Sequence, residues 1–170
     1  MSSIQVSAAL KKGALSADGY GELIATTTRL NAVGTLLGER PDVHAMTDVT
    51  GFGLLGHLLE VCRGSGLAAS LDWPSVPVIP IARELAEQGF NTGAATRNWA
   101  SYGEAVHLPR QLGPWERNLL CDPQTSGGLL IACAPGAADD VLDLLRQSGH
   151  VHAACIGNLA AGPSEITVAA

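Results

Sequence analysis

The stretch Ala45-Met46-Thr47-Asp48-Val49-Thr50-Gly51-Phe52-Gly53-Leu54-Leu55-Gly56-His57 limits the folds open to this chain more than any other. It predicts a short buried strand, a turn carrying one carboxylate, and the first turns of a helix. Phe52, Leu55, Leu58, Leu59 and Cys62 recur at helical spacing and give that helix one apolar face. Gly51, Gly53 and Gly56 stand where packing alone favours alanine or leucine. A helical glycine costs roughly 0.5–1 kcal/mol, so either a backbone or ligand approaches closely there or the turn needs unusual dihedrals. Asp48, in a strand-to-helix turn beside a helix start, is placed to meet a metal or a phosphate-linked ligand. The same residue type also serves there as a turn former or a helix cap, and the residues alone leave both readings open.

At 170 residues the chain is one domain, or one domain with a long extension, and it can bury a real core. Its residues are 46% hydrophobic but only 4% aromatic, so Leu, Val, Ile and Ala must build that core. The glycines and prolines are scattered and therefore mark turns and functional loops instead of disorder. A net charge of −6 argues against binding nucleic acid through a broad basic surface. No apolar run approaches the ~18 residues of a membrane span, and Met1 to Gly13 has no hydrophobic run of the secretion type. Cys62, Cys121, Cys133 and Cys155 have no zinc-site or CxxC spacing. Cys62, Cys133 and Cys155 are expected as small core residues, which suits a reducing cytoplasm and gives no sign of thiol catalysis.

Taken in order, residues 1–13 read as an irregular or extended lead-in. Ser16 caps a long helical pattern that reaches about Gly38, with Tyr20, Leu23, Ile24, Thr27, Leu30 and Leu37 on one side. Asp42 to Met46 is a strand, Leu67 to Trp73 another, and Pro74, Pro77 and Pro80 force an extended surface segment. Ile81 to Gln88 is a short helix stopped by Gly89. Residues 90–103 show no periodicity and are expected as a functional or mobile loop. Glu116 to Cys121 ends a short helix, Gly128 to Ala134 is a strand, and Ala137 to Ser148 is an amphipathic helix. Val151 to Ile156 is expected as a strand, and Ile166 to Val168 as a last edge strand, with hairpin-like neighbours at the chain's end. The irregular alternation predicts an α+β domain, a mixed β-sheet packed with helices.

A second stretch, Asp122-Pro123-Gln124-Thr125-Ser126-Gly127-Gly128, also carries more chemistry than a core needs. Thr125, Ser126, Gly127 and Gly128 offer two hydroxyls and unencumbered backbone N–H groups, a nest able to hold an anion such as phosphate. A tight turn into the following strand explains the same residues. No P-loop or GxSxG pattern is present. The histidines, His44, His57, His107, His150 and His152, have no metal-ligand spacing, and His150 and His152 read as solvated surface residues at a strand start. Arg97 can pair a phosphate or a structural carboxylate, and the sequence does not choose.

Together, Met46 to His57 and Asp122-Pro123-Gln124-Thr125-Ser126-Gly127-Gly128-Leu129-Leu130 closely resemble the C-terminal half of bacterial selenophosphate synthetases (selenide, water dikinases). Thr96-Arg97-Asn98 followed by Ala100-Ser101-Tyr102-Gly103 matches that family's central loop, and the resemblance runs from about Val6 to the C-terminus. It implies the C-terminal domain fold of the aminoimidazole ribonucleotide synthetase-like superfamily, with 1–13 leading in from an N-terminal half and 14–170 forming the domain. It further implies a transferase of the kinase type that makes selenophosphate from selenide, ATP and water, releasing AMP and phosphate. By the same resemblance Asp48 is a Mg²⁺ ligand, and Thr125, Ser126, Gly127 and Gly128 line the phosphate side of an ATP cleft. The full-length family member is expected as a cytoplasmic homodimer that binds no nucleic acid and no membrane.

The family's reactive Cys or selenocysteine, its catalytic Lys and its other metal aspartates belong to the N-terminal half and have no counterpart here. No catalytic residue is therefore expected in this chain, and a lone Asp48 should hold Mg²⁺ poorly. The chain is expected to be inactive alone, as a truncated piece or a split gene product. Two other readings remain: a related superfamily enzyme with a different substrate, and a non-catalytic module that binds an anion or a partner.

Overall fold

The computed structural model describes Val6, Ala9, Leu10 and residues 16–170. Most of the lead-in reading of residues 1–13 falls outside them. The three residues that are described are helical, not extended, and Val6 and Ala9 are buried in the main core.

Ser16 does start the first helix, α1 (Ala17–Thr27), its Oγ accepting from the Gly19 N–H at 3.1 Å. The predicted continuation to Gly38 is interrupted, and a short α2 (Val33–Gly38) follows after a break. Three successive β-branched threonines end α1. The Thr27 and Thr28 hydroxyls bond back to the Leu23 and Ile24 carbonyls, a contact that loosens a helix end. The break also undoes the predicted single apolar face. Leu23 and Leu37 are buried, whereas Tyr20 and Ile24 are exposed and Leu30 is 79% exposed.

Strand β1 (Val43–Asp48) leads into helix α3 (Gly53–Ser65) as expected, but it is not the buried strand predicted: its residues are half-buried or exposed, because β1 pairs with β4 in a two-stranded ribbon. Helix α3 stops at Gly66, whose φ of +68° is the left-handed value that glycine adopts without strain. Strand β2 (Leu67–Asp72) follows, and a single 3₁₀ turn takes up Trp73. Pro80 then opens helix α4 (Pro80–Glu87), its missing N–H costing nothing at a first helical position.

Residues 90–103 are not the predicted loop. Gly93–Tyr102 forms helix α5, capped by the Thr92 hydroxyl, which accepts from the Ala95 N–H at 3.1 Å. Only Ala95 and Tyr102 of this helix are buried, and so little burial leaves no apolar period in the sequence. Then come β3 (Val106–His107), α6 (Pro114–Cys121), β4 (Leu129–Cys133) and the amphipathic α7 (Ala138–Gln147). The last strands are β5 (Gly157–Ala161) and β6 (Ile166–Ala169). Val151 to Ile156 is not a strand. The chain turns through it, leaving His152 and Cys155 exposed, so Cys155 is no core residue and Cys133 is half-buried.

The strands form two sheets. β1 and β4 make an antiparallel ribbon whose register runs from Val43 opposite Cys133 to Asp48 opposite Leu129. The other four are ordered β3-β6-β2-β5, with β2–β5 antiparallel and both β2–β6 and β3–β6 parallel. β6 is thus interior, not an edge, and β5 and β6 form no hairpin because β2 lies between them. The mixed sheet bears out the α+β reading. The main core packs α3, α4, α5 and α6 around buried Leu55, Leu59, Leu71, Leu119, Leu120 and Ile166. A smaller core of Val33, Leu37, Val141 and Leu145 lies against the ribbon. Among the described residues no helix is long and apolar enough to cross a membrane.

Candidate functional site

The two glycine-bearing stretches meet at the end of the β1–β4 ribbon. Past the last paired residues, Asp48 and Leu129, the Val49 N–H donates to the Gly128 carbonyl at 2.9 Å. One residue on, the Thr50 carbonyl accepts from the Gln124 N–H at 3.0 Å. The ribbon therefore continues as a clasp between the Asp48–Phe52 turn and the Asp122–Gly128 loop. The segments are far apart in sequence, and antiparallel pairing alone brings them side by side.

Each glycine of the opening stretch has its own cause. Gly53 has φ +70°, and a β-carbon there would lie 2.6 Å from the carbonyl carbon of Cys121, so the start of α3 presses on the end of α6. Gly56 accommodates the Tyr102 ring, which a β-carbon would approach to 2.9 Å. Gly51 meets nothing within 4 Å, so the close-approach reading holds for Gly53 and Gly56 and not for Gly51. Phe52, predicted on the buried face of its helix, is 52% exposed at the helix start. Its carbonyl accepts from the buried Tyr102 hydroxyl at 2.7 Å.

A third segment locks this junction. Asn98 on α5 donates through Nδ2 to the Gly51 carbonyl at 2.8 Å and to the Cys121 carbonyl at 3.0 Å, bridging the turn and the helix that precedes the loop. Thr92, the cap of α5, also donates from its hydroxyl to buried Asp122 at 2.7 Å. Asn31, in the break between α1 and α2, donates to the Gly127 carbonyl at 2.8 Å. Sequence reasoning gave Asn98, Asn31 and Thr92 no role. The signal for Asn31 was a poor helix former following a threonine run inside a predicted helix. For Asn98 it was the polar string around it, which matches the family's central loop without assigning this side chain a role.

Asp48 is exposed at the end of β1. Thr125 and Ser126 are exposed on the loop, Ser126 at a left-handed φ of +52°, while Gly127 is buried and Gly128 exposed. Asp48 thus lies across the ribbon from Leu129, next to Gly128 in sequence. The Gly127 and Gly128 carbonyls are engaged by Asn31 and Val49. Trans peptide geometry points the N–H groups of Gly128 and Leu129 away from those donors. Arg97 is exposed on α5, one position before Asn98. Burial pushes the Cys121 thiol at the base of the junction up to about 11 and holds the Tyr102 hydroxyl protonated well above its ordinary range.

Among the described residues no group of three or more His, Cys, Asp or Glu gathers where it could hold a metal ion. Asp48 is one exposed, hard oxygen donor. It fits Mg²⁺ as a single contributor beside phosphate oxygens, not as a cage.

The family described as "AIR synthase related protein, C-terminal domain" matches residues 2–169. Among curated proteins, the selenide, water dikinase of Burkholderia orbicola is 52% identical over 164 residues, covering 96% of this chain and 46% of that protein. The selenide, water dikinase of Rhizobium meliloti is 53% identical over 162 residues, covering 95% and 46%. The chain therefore spans about half the length of the curated relatives it matches. Among solved structures, thiamine-monophosphate kinase from Stenotrophomonas maltophilia superposes with a TM-score of 0.63 at 20% identity, covering 98% of this chain and 46% of that one. E. coli HypE gives 0.58 at 21%, covering 81% and 34%. At those identities the structural matches establish the fold alone.

Proposed function

The chain belongs to the AIR synthase-related C-terminal domain family, and from that premise we propose that it is the C-terminal half of a selenophosphate synthetase. The observation that carries the reading is the identity of about half the residues, sustained across nearly the whole chain, with selenide, water dikinases. In this reading residues 14–170 form the body of the domain, and the lead-in before them packs Val6 and Ala9 into its core. An N-terminal half supplies the reactive Cys or selenocysteine, the catalytic Lys and the remaining metal aspartates. The joined protein, a cytoplasmic homodimer, converts selenide, ATP and water to selenophosphate, AMP and phosphate.

This chain's share is positioning. Asp48 presents one carboxylate to Mg²⁺, which when bound supplies charge stabilisation to transferring phosphoryl groups. The Thr125 and Ser126 hydroxyls and the outward N–H groups of Gly128 and Leu129 face the phosphates, acting as fixed donors that need no reorganisation. Asn31, Asn98 and the Val49–Gly128 bond keep that loop in register with Asp48. The Asn31, Val49 and Gln124 contacts hold the backbone of this loop before any ligand arrives.

The test joins the chain to the N-terminal half of a relative such as the R. meliloti enzyme and follows AMP formation with selenide. Asp48→Asn should lower turnover by about a hundredfold or more, the scale of losing a charged ligand to a catalytic metal. Unchanged activity removes Asp48 from the metal site. ATP turnover that ignores selenide points to a different superfamily substrate. Submicromolar Mg-ATP binding by the chain alone, read by isothermal titration, contradicts a site shared between two halves.

A further inference from the structure

Helix α3 buries one polar ring among leucines. His57 is 7% exposed, and its neighbours on the helix, Leu54, Leu55, Leu58 and Leu59, are apolar and buried. A leucine or methionine would fill such a position, so a histidine there needs a polar reason. Both ring nitrogens have partners. Nδ1 lies 2.8 Å from Glu60 Oε2, and Nε2 lies 3.2 Å from the Thr50 hydroxyl oxygen. Glu60 is one helical turn further along, exposed at its outer end.

A carboxylate only accepts, so Nδ1 carries a hydrogen. In the neutral ring Nε2 is then the acceptor, and the Thr50 hydroxyl donates to it. Thr50 is also the hub of the junction. Its carbonyl accepts from the Gly53 N–H at 3.2 Å and from the Gln124 N–H at 3.0 Å, two residues beyond Asp48. Its side chain and its backbone therefore tie three pieces together: the Asp48 turn, the start of α3, and the second loop.

We propose that His57, with its tautomer set by Glu60, is a positioning residue that fixes the Asp48–Thr50 turn against the Asp122–Gly128 loop by holding the Thr50 hydroxyl as a donor. The clamp stands on this geometry alone. Its consequence for turnover deepens, and rests on, the selenophosphate synthetase reading.

The first arm uses the isolated chain. Imidazole ¹⁵N shifts should show His57 as the Nδ1–H tautomer in the wild type and lose that signature in Glu60→Ala. Hydrogen exchange at the Gln124 amide should accelerate about tenfold in Thr50→Val, which removes the hydroxyl at constant shape. An Nε2–H tautomer, or Gln124 exchange unaltered in Thr50→Val, overturns the clamp. The second arm uses the joined enzyme and two amide variants. His57→Gln can reach Thr50 with its side-chain carbonyl, whereas His57→Asn reaches only toward Glu60. Turnover should stay within about threefold in His57→Gln and fall about tenfold or more in His57→Asn, at similar thermal midpoints. Equal losses in both variants, tracking their midpoints, reduce His57 to a packing residue. A wild-type joined protein without selenide-dependent turnover sinks the functional reading instead, and the isolated-chain arm still judges the clamp.

Discussion

Gly127 sits directly against the carbonyl of Val49: a β-carbon at position 127 would overlap the Val49 oxygen. The Val49 carbonyl cannot swing away freely, because bonds hold the backbone on both sides of it: the Val49 N–H to the Gly128 carbonyl and the Thr50 carbonyl to the Gln124 N–H. The glycine pair therefore divides its tasks. Gly127 is required by a neighbouring backbone, while Gly128 has open space around it and is free to face a ligand.

Gly127→Ala should destabilise the chain by about 1–3 kcal/mol, the range of a forced overlap in a packed site. Gly128→Ala should leave stability unchanged or raise it by about 0.4–1 kcal/mol, because its backbone is not left-handed and the unfolded chain loses freedom. Urea midpoints of the two variants check this, and equal effects would contradict the division.

Asn98→Ala leaves the Gly51 and Cys121 carbonyls without their shared donor and should cost about 1–3 kcal/mol. Asn98→Asp should cost more, since it turns an anion toward two carbonyl oxygens. Faster amide exchange along α5 in both variants would locate the loss at the junction.

Cys121 makes stability fall at alkaline pH. Its thiol is held up to about 11 by burial, against 9.0 for the ordinary group. The unfolded chain loses this proton first, so the contribution is complete below pH 9 and is lost as pH rises toward 11. About 1–3 kcal/mol is at stake. Denaturation midpoints from pH 8 to 11 should drop less steeply in Cys121→Ala; the raised Cys62 thiol adds a slope of the same sign. At pH 8 in the native protein, a thiol reagent should modify exposed Cys155 and spare Cys121 and Cys62.

Asp48→Asn should leave the urea midpoint of the isolated chain within about 0.5 kcal/mol of wild type, as its side chain is exposed at a strand end. A larger drop would make the carboxylate a structural turn former. That outcome would restore the reading that the residues alone left open.

Several elements were readable because their causes are local. The strand, turn and helix from Ala45 to Cys62 carry alternation, glycine and helical spacing in one window. Helix α7 has two buried positions, Val141 and Leu145, set one helical turn apart, with Asp139, Asp140, Asp143, Arg146 and Gln147 on its remaining surface. Ser16 marks a helix start by its own hydroxyl. The chain also holds two long ordered motifs, and the resemblance they carry agrees with the family match over residues 2–169.

Other features depend on partners distant in sequence. Helix α5 buries only Ala95 and Tyr102, so its cause is tertiary: Thr92 caps it and Asn98 pins it to carbonyls 47 and 23 residues away. The break after Thr28 follows from local threonine chemistry, but its use appears only when Asn31 meets Gly127. Whether a strand joins the ribbon or the four-stranded sheet is decided by which surface remains unburied once the helices pack, and no window of sequence contains that information. By itself, then, the sequence determined the α+β class, the two motifs and the family. Tertiary structure alone decided that the motifs form one junction, that Gly127 makes room for a backbone while a β-carbon at Gly51 would meet open space, and that Thr50 is its hub. The physical reason is that hydrogen bonds and close approaches between remote segments exist only after the chain has closed on itself, whereas periodicity and capping are written residue by residue.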